Sequence, residues 1–148
     1  TYASRIAVDN LVNIWPLVKL ALIEGKITCL PRFNQAAGLY EAARIGNPEG
    51  DLETGRYGIR EPRNHCPIWP LNRLDLILVP GIGFDPWGGR LGRGRGFYDQ
   101  LLAATDGIRC GVAFDEQVVD KIPLESHDFQ LDYTATPSRW LVRSQRTH

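Results

Sequence analysis

Residues 81–99 read Gly-Ile-Gly-Phe-Asp-Pro-Trp-Gly-Gly-Arg-Leu-Gly-Arg-Gly-Arg-Gly-Phe-Tyr-Asp, and seven of the fifteen glycines in the chain fall among them. Those glycines interleave with Arg90, Arg93 and Arg95. A glycine-rich loop between a strand and a helix wraps backbone N–H groups around phosphate. Arginines in the same loop add charge and forked hydrogen bonds to phosphate oxygens. The Asp99 carboxylate is a hard oxygen donor, suited to a divalent cation beside those phosphates. Binding and transfer of phosphoryl groups is the chemistry these residue types support.

Spacing removes two common readings. A dinucleotide-binding fingerprint needs Gly-x-Gly-x-x-Gly directly after a strand. Here Gly92, Gly94 and Gly96 have a different spacing and stand well beyond the preceding apolar run. A Walker A loop needs Gly-Lys-Ser/Thr, which the chain lacks. A surface turn with scattered arginines is the competing reading.

The elements that position this loop follow from periodicity. The apolar run Leu74–Val79 predicts a central strand covered on both faces, and Phe97–Ala104 a helix. Upstream, Leu11, Ile14, Trp15, Val18, Ala21 and Leu22 make one helical stripe, with Asp9 or Asn10 as cap. Pro16 moves the start toward Ile14 or Trp15, and Gly25 ends the helix. Lys26–Pro31 then reads as a short buried strand, and helix-then-strand predicts a crossover onto a parallel sheet. Gly38–Ile45 reads as a more exposed strand, 47–58 as a turn-rich acidic segment, and 63–73 as an irregular linker. Ile108–Phe114 and Leu131–Thr136 are further strands. Residues 138–148 read as a basic, frayed tail. The alternation predicts a single α/β domain with a mostly parallel sheet.

Lys plus Arg and Asp plus Glu are 17 each, so the totals give no footprint for a nucleic acid or a membrane surface. The local basic cluster on that neutral background indicates a small anionic ligand. Cys29, Cys66 and Cys110 form no Cys-x-x-Cys pair, which argues against a disulfide framework and structural zinc. His65, His127 and His148 are too far apart in sequence to suggest a metal site. His127-Asp128 and Asp115-Glu116 read as solvent-exposed pairs. No apolar run spans a bilayer, so cytoplasm and no membrane partner are expected. The chain begins at Thr1 and has no methionine, which suggests a truncated N-terminus.

The segments Asp75-Leu-Ile-Leu-Val-Pro-Gly-Ile-Gly-Phe-Asp85 and Arg90-Leu-Gly-Arg-Gly-Arg-Gly-Phe-Tyr-Asp99 closely resemble the 5-formyltetrahydrofolate cyclo-ligase (methenyltetrahydrofolate synthetase) family. Gly25-Lys26 with Leu30-Pro31-Arg32, Gly58-Ile-Arg-Glu-Pro62, Ala113-Phe-Asp-Glu-Gln117 and Pro123 through Asp132 extend the resemblance from about Ala7 to Thr136. It implies a three-layer α/β/α sandwich with a mostly parallel sheet, NagB/RpiA/CoA-transferase-like. It also implies ATP- and Mg2+-dependent conversion of 5-formyltetrahydrofolate to 5,10-methenyltetrahydrofolate, ADP and phosphate, by a cytoplasmic monomer. The formyl oxygen attacks the γ-phosphate, and a folate amine then closes the ring as phosphate leaves.

Carried onto this chain, the resemblance makes Arg90 and Arg93 catalytic. It assigns Arg90, Leu91, Gly92, Arg93, Gly94, Arg95, Gly96, Phe97 and Tyr98 to ATP. Tyr2, Ala7, Tyr57, Arg93, Gly94, Arg95, Gly96 and Phe97 face the folate, and Asp99 and Asp132 hold magnesium. Three departures are visible. The family's N-terminal helix with its Lys and Arg has no counterpart here. Ala7-Val8-Asp9-Asn10 stands where the family has a Glu-Val-Asp-Thr-like run. Phe97 replaces the first tyrosine of the usual Tyr-Tyr-Asp. The alternative is a family member that binds nucleotide or folate without turnover. An RNA-associated adaptor is a third reading, and the neutral charge balance argues against it.

Overall fold

Pro16 falls in the first turn of helix α1 (Trp15–Ile23), where its missing N–H costs nothing, and Ile14 is the N-cap. Asn13 Oδ1 accepts the Trp15 N–H at 3.0 Å. The computed structural model describes residues 12–55, 58, 60–92, 97–123 and 129–144, with the side chain of Phe97 excluded. The expected caps Asp9 and Asn10, and Leu11 of the stripe, lie outside the described residues. Ile14, Trp15 and Val18 are buried, and Ala21 and Leu22 half-buried. The helix ends as the sequence predicts. Gly25 takes φ +77°, and N–H groups of Gly25 and Lys26 bond back to Leu22 and Ala21 carbonyls at 3.1 and 2.9 Å. This is a Schellman ending, in which a left-handed residue lets the chain reverse onto the last open carbonyls.

The chain divides into two compact units between Arg73 and Leu74. In the first, strand β1 (Thr28–Asn34) pairs with β2 (Leu39–Ile45) in antiparallel register, Thr28 opposite Ile45 and Asn34 opposite Leu39. The expected crossover to a parallel neighbour is not found among the described strands. The cause is local: Asn34 accepts the Gly38 N–H on its carbonyl and the Ala37 N–H on its side chain. A turn that short joins only antiparallel strands. The strand β2 is also less exposed than its sequence suggests, with Ala42, Ala43 and Ile45 buried.

The segments read as turn and linker carry further structure. Together with the residues between them they hold α2 (Pro48–Asp51), β3 (Leu52–Thr54), β4 (Arg60–Pro62) and β5 (Ile68–Trp69). The pair β3–β4 is antiparallel, and β5 adds to β2 to complete a three-stranded sheet.

Asp51 anchors this region. Its Oδ2 accepts the N–H groups of Gly46 and Asn47 at 2.7 and 2.8 Å. The Asn47 bond foremost, then those from His65 and Gly46, hold the Asp51 carboxyl down at about 2. A carboxyl lowered by folding contributes stability above its unfolded pKa, and that contribution fades as pH falls through the folded value. The urea midpoint is therefore expected to drop between pH about 4 and about 2. Asp51→Asn should flatten that part of the profile; an unchanged profile would contradict the assignment.

The second unit carries β6 (Leu76–Val79), α3 (Phe97–Ala103), β9 (Ile108–Val112), β10 (Tyr133–Ala135) and β11 (Trp140–Val142), with the hairpin β7 (Gly83–Phe84) and β8 (Arg90–Leu91) after β6. Its sheet order is β11-β10-β9-β6. The strand β9 is parallel to β6 and β10, and β11 is antiparallel to β10. Mixed α/β architecture is thus as expected. Parallel pairing, however, is confined among the described strands to β6, β9 and β10, apart from a single bridge between Phe84 and Val118.

Two further expectations change. Among the described strands β6 stands at one edge of its sheet rather than centrally, and Leu76 is exposed. Residues 140–142 of the expected frayed tail form β11, because Tyr133 to Ala135 offer a paired edge to them. The core of this unit is Ile77, Val79, Phe84, Leu102, Ala113 and Leu131, with Leu74, Tyr98 and Phe129 packed against it. No helix among the described residues is long and apolar enough to cross a membrane.

Candidate phosphate-binding site

The loop that follows β6 is held by a buried carboxylate. Asp85, 1% exposed, accepts N–H groups from Trp87 at 2.9 Å, Gly89 at 2.7 Å and Ile122 at 2.7 Å. Gly88 closes this turn with φ +84°, and its built Cβ would sit 2.5 Å from the Leu131 carbonyl oxygen. Only glycine fits there. A second brace comes from Gln117, whose amide donates to the Gly81 and Ile82 carbonyls at 3.0 and 3.2 Å. The Ile82 N–H in turn bonds to the Leu91 carbonyl at 2.7 Å.

This scaffold fixes Arg90 on β8. Its Nε donates to the Pro80 carbonyl, its guanidinium lies 5.3 Å from the Tyr98 ring centre, and its Nη1 is 4.0 Å from Asp99 Oδ1. The Arg90 side chain is only 12% exposed, while Asp99 is open to solvent in the first turn of α3. A Cβ on Gly92 would approach both terminal guanidinium nitrogens to 3.1 Å, so the guanidinium lies directly against the glycine backbone.

The expected site residues therefore separate into groups. Arg90, Tyr98 and Asp99 are brought together, with Gly92 against the guanidinium. Leu91 is exposed on β8. Tyr98 packs on the core and under Arg90, so its ring has protein partners. Asp132 sits just before β10; its Oδ2 accepts the Arg109 N–H at 2.9 Å, and its own N–H bonds to the Arg109 carbonyl. Tyr2, Ala7, Tyr57, Arg93, Gly94, Arg95 and Gly96, and the side chain of Phe97, lie outside the described residues, as do His127 and Asp128.

Asp85 and Gln117 went unassigned in the sequence. Asp-Pro-Trp-Gly is a turn signal that marks Asp85 as a side-chain acceptor for its own turn. No local signal points from Gln117 to a loop 35 residues earlier. Asp115, read as an exposed carboxylate, accepts hydroxyl bonds from Thr136 and Ser138, which lower its pKa, the Thr136 bond most.

The second unit defines an α/β protein with an arginine-bearing hairpin poised at a helix start. A model of the 5-formyltetrahydrofolate cyclo-ligase family matches residues 3–137, and the chain belongs to that family of ligase enzymes. It is 32% identical over 143 residues to the 5-formyltetrahydrofolate cyclo-ligase of Escherichia coli K12, covering 94% of this chain and 79% of that one. The Mycolicibacterium smegmatis cyclo-ligase is 38% identical over 113 residues, covering 74% and 58%. The NMR structure of Aquifex aeolicus 5,10-methenyltetrahydrofolate synthetase superposes with a TM-score of 0.80 at 32% identity, covering 93% of this chain and 69% of that one.

Proposed function

We propose that this chain converts 5-formyltetrahydrofolate to 5,10-methenyltetrahydrofolate with consumption of ATP and release of ADP and phosphate. The observation that carries this reading is the Arg90 guanidinium, fixed by Pro80 beside Gly92 and the first turn of α3. The three-layer NagB/RpiA/CoA-transferase-like arrangement, a monomeric state and a cytoplasmic location belong to the same reading.

In the reaction, the folate formyl oxygen forms a bond to the γ-phosphorus as the bond to the ADP oxygen breaks. A folate amine then attacks the activated carbon, and phosphate leaves with that oxygen. Phosphoryl transfer needs positioning and charge stabilisation more than covalent help from the protein. Arg90 and Arg93 supply the charge. Because Arg90 Nε is bonded to Pro80, its guanidinium plane is set before substrate arrives, which is where preorganised electrostatics gain their effect. The glycines from 92 to 96 admit the phosphate chain close to backbone N–H groups. Tyr2, Ala7 and Tyr57 form the folate side in this reading.

Magnesium, when bound, neutralises phosphate charge. Two carboxylates suit such a hard cation. Asp99 is solvent-accessible beside Arg90, and Asp132 retains Oδ1 without a hydrogen bond among the described residues while Oδ2 holds the Arg109 amide.

Asp132 gives a clean test of that assignment. Asp132→Asn keeps an oxygen for the Arg109 N–H, so stability should hold. The magnesium concentration for half-maximal turnover should rise about tenfold or more. Asp132→Ala should in addition lose about 1–2 kcal/mol by leaving that amide unpaired. Unchanged magnesium dependence in Asp132→Asn would limit Asp132 to a structural role.

Binding is tested by calorimetry with MgATP and with 5-formyltetrahydrofolate separately. Both should bind, and Arg93→Ala should weaken MgATP. Absence of MgATP binding would overturn the proposal.

A further inference from the structure

A cluster in the first unit includes none of the residues assigned to the phosphate chemistry. Asp51, His65 and Cys66 each present one ligand atom, and those atoms lie within 4.8 Å of one another. His65 Nε2 is 2.8 Å from Asp51 Oδ1, and the Cys66 thiol faces the Asp51 carbonyl at 3.5 Å. We propose that Asp51 Oδ1, His65 Nε2 and Cys66 Sγ form a three-ligand site for zinc or a similar borderline-soft divalent cation.

The donor set decides the metal class. Thiolate and imidazole favour zinc over magnesium or calcium, which take oxygen ligands. Three protein donors leave the fourth tetrahedral position to water. His65, with its side chain 60% exposed, opens that position to solvent, while Cys66 lies on the buried side.

The scaffold around the donors is already set. Asp51 Oδ2 is fixed by the Gly46 and Asn47 N–H groups, the outer-sphere support that orients a ligating carboxylate. The turn carrying His65 and Cys66 is clamped by Arg32, which is buried and ion-paired with Glu41 at 2.9 Å. Arg32 Nη1 donates to the Arg63 and Cys66 carbonyls at 2.7 and 3.0 Å. The Arg63 N–H reaches the Asp51 carbonyl at 2.7 Å and ties the turn to the end of α2. The sequence hides this site because its ligands come from the end of α2 and the turn after β4, with no Cys-x-x-Cys or paired histidines.

On ligation the Cys66 thiol loses its proton to solvent, and the His65 ring carries its proton on Nδ1 so that Nε2 faces the cation. One proton is released per metal bound if the imidazole starts neutral.

The test is a cobalt(II) titration of the whole chain, freed of metal under reducing conditions. The expected result is a thiolate-to-cobalt charge-transfer band saturating at one equivalent and bleached by zinc. Cys66→Ser should abolish the band, whereas Cys29→Ser and Cys110→Ser should keep it. His65→Gln, an exposed change that leaves the apo fold intact, should weaken cobalt binding at least tenfold. A millimolar excess of magnesium should not compete. No charge-transfer band, or a band unchanged in Cys66→Ser, would overturn the proposal.

Discussion

Arg90→Ala is expected to lower turnover of 5-formyltetrahydrofolate with MgATP by on the order of 100- to 1,000-fold, the scale of removing one preorganised charge-stabilising donor. The effect should fall mainly on kcat. In the proposed reaction the guanidinium acts on charge that grows as the γ-phosphoryl moves, so its removal is felt in the transition state more than in ground-state ATP binding. Arg90→Lys should recover only part of the loss. A lysine keeps the cation but cannot both hold the Pro80 carbonyl through Nε and present a planar fork. The side chain also packs over Tyr98 and lies mostly buried, so alanine removes packing too. Thermal unfolding separates the two effects: a few degrees lost in Tm with two or more decades lost in kcat supports the catalytic reading. A kcat within threefold of the parent would remove Arg90 from the chemistry.

The second large effect concerns the loop's anchor. Asp85→Ala should destabilise the protein by about 4 kcal/mol or more, because it strips a carboxylate that accepts three backbone N–H groups in a buried site. Hydrogen bonds to a charged acceptor contribute about 1.5–3 kcal/mol each and do not add fully. Asp85→Asn should fall between the two. Its amide oxygen can keep the Trp87 and Gly89 donors, but its NH2 then meets the Ile122 N–H head-on. Urea unfolding measures this. The Arg90 hairpin spans the same turn, so activity in Asp85→Ala should fail at temperatures where the fold is still populated. A loss below about 1 kcal/mol would show that water replaces these bonds and that the turn is not their product.

The sequence carried the local elements well and the pairing poorly. Pro16 and Gly25 bracketed α1 because proline at a helix start and a left-handed residue at its end are local chemistry. The starts of β9 and α3 are readable for the same reason, because turn-forming residues precede them; the strand ends two residues, and the helix one residue, earlier than the sequence predicts. Direction of pairing is a non-local property. Lys26–Pro31 looked like a partner for a parallel sheet, and only the turn from Asn34 to Gly38 made it half of a hairpin. Likewise Trp140–Val142 sits in a polar, basic stretch with no strand pattern, and becomes a strand because β10 presents an edge to it.

The site divides along the same line. Arg90, Gly92 and Asp99 stood out by residue type within one short segment, and they are near one another because they are near in sequence. Asp85 and Gln117 hold that segment in shape through side-chain bonds to its backbone; the Asp-Pro turn signal points to Asp85, whereas nothing local points to Gln117. The Asp51, His65 and Cys66 cluster was out of reach for a further reason: its members gain meaning only when α2 and the turn after β4 meet.

The most direct test follows product formation by its own absorbance. Purified protein is mixed with 5-formyltetrahydrofolate, ATP and magnesium, with ADP and phosphate measured in parallel. Methenyltetrahydrofolate absorbance should rise with one ADP and one phosphate per ring closed, should require all three components, and should be largely lost in Arg90→Ala. Folded protein at high concentration that binds MgATP yet forms no methenyltetrahydrofolate would contradict the proposed activity and leave a nucleotide-binding member of the family.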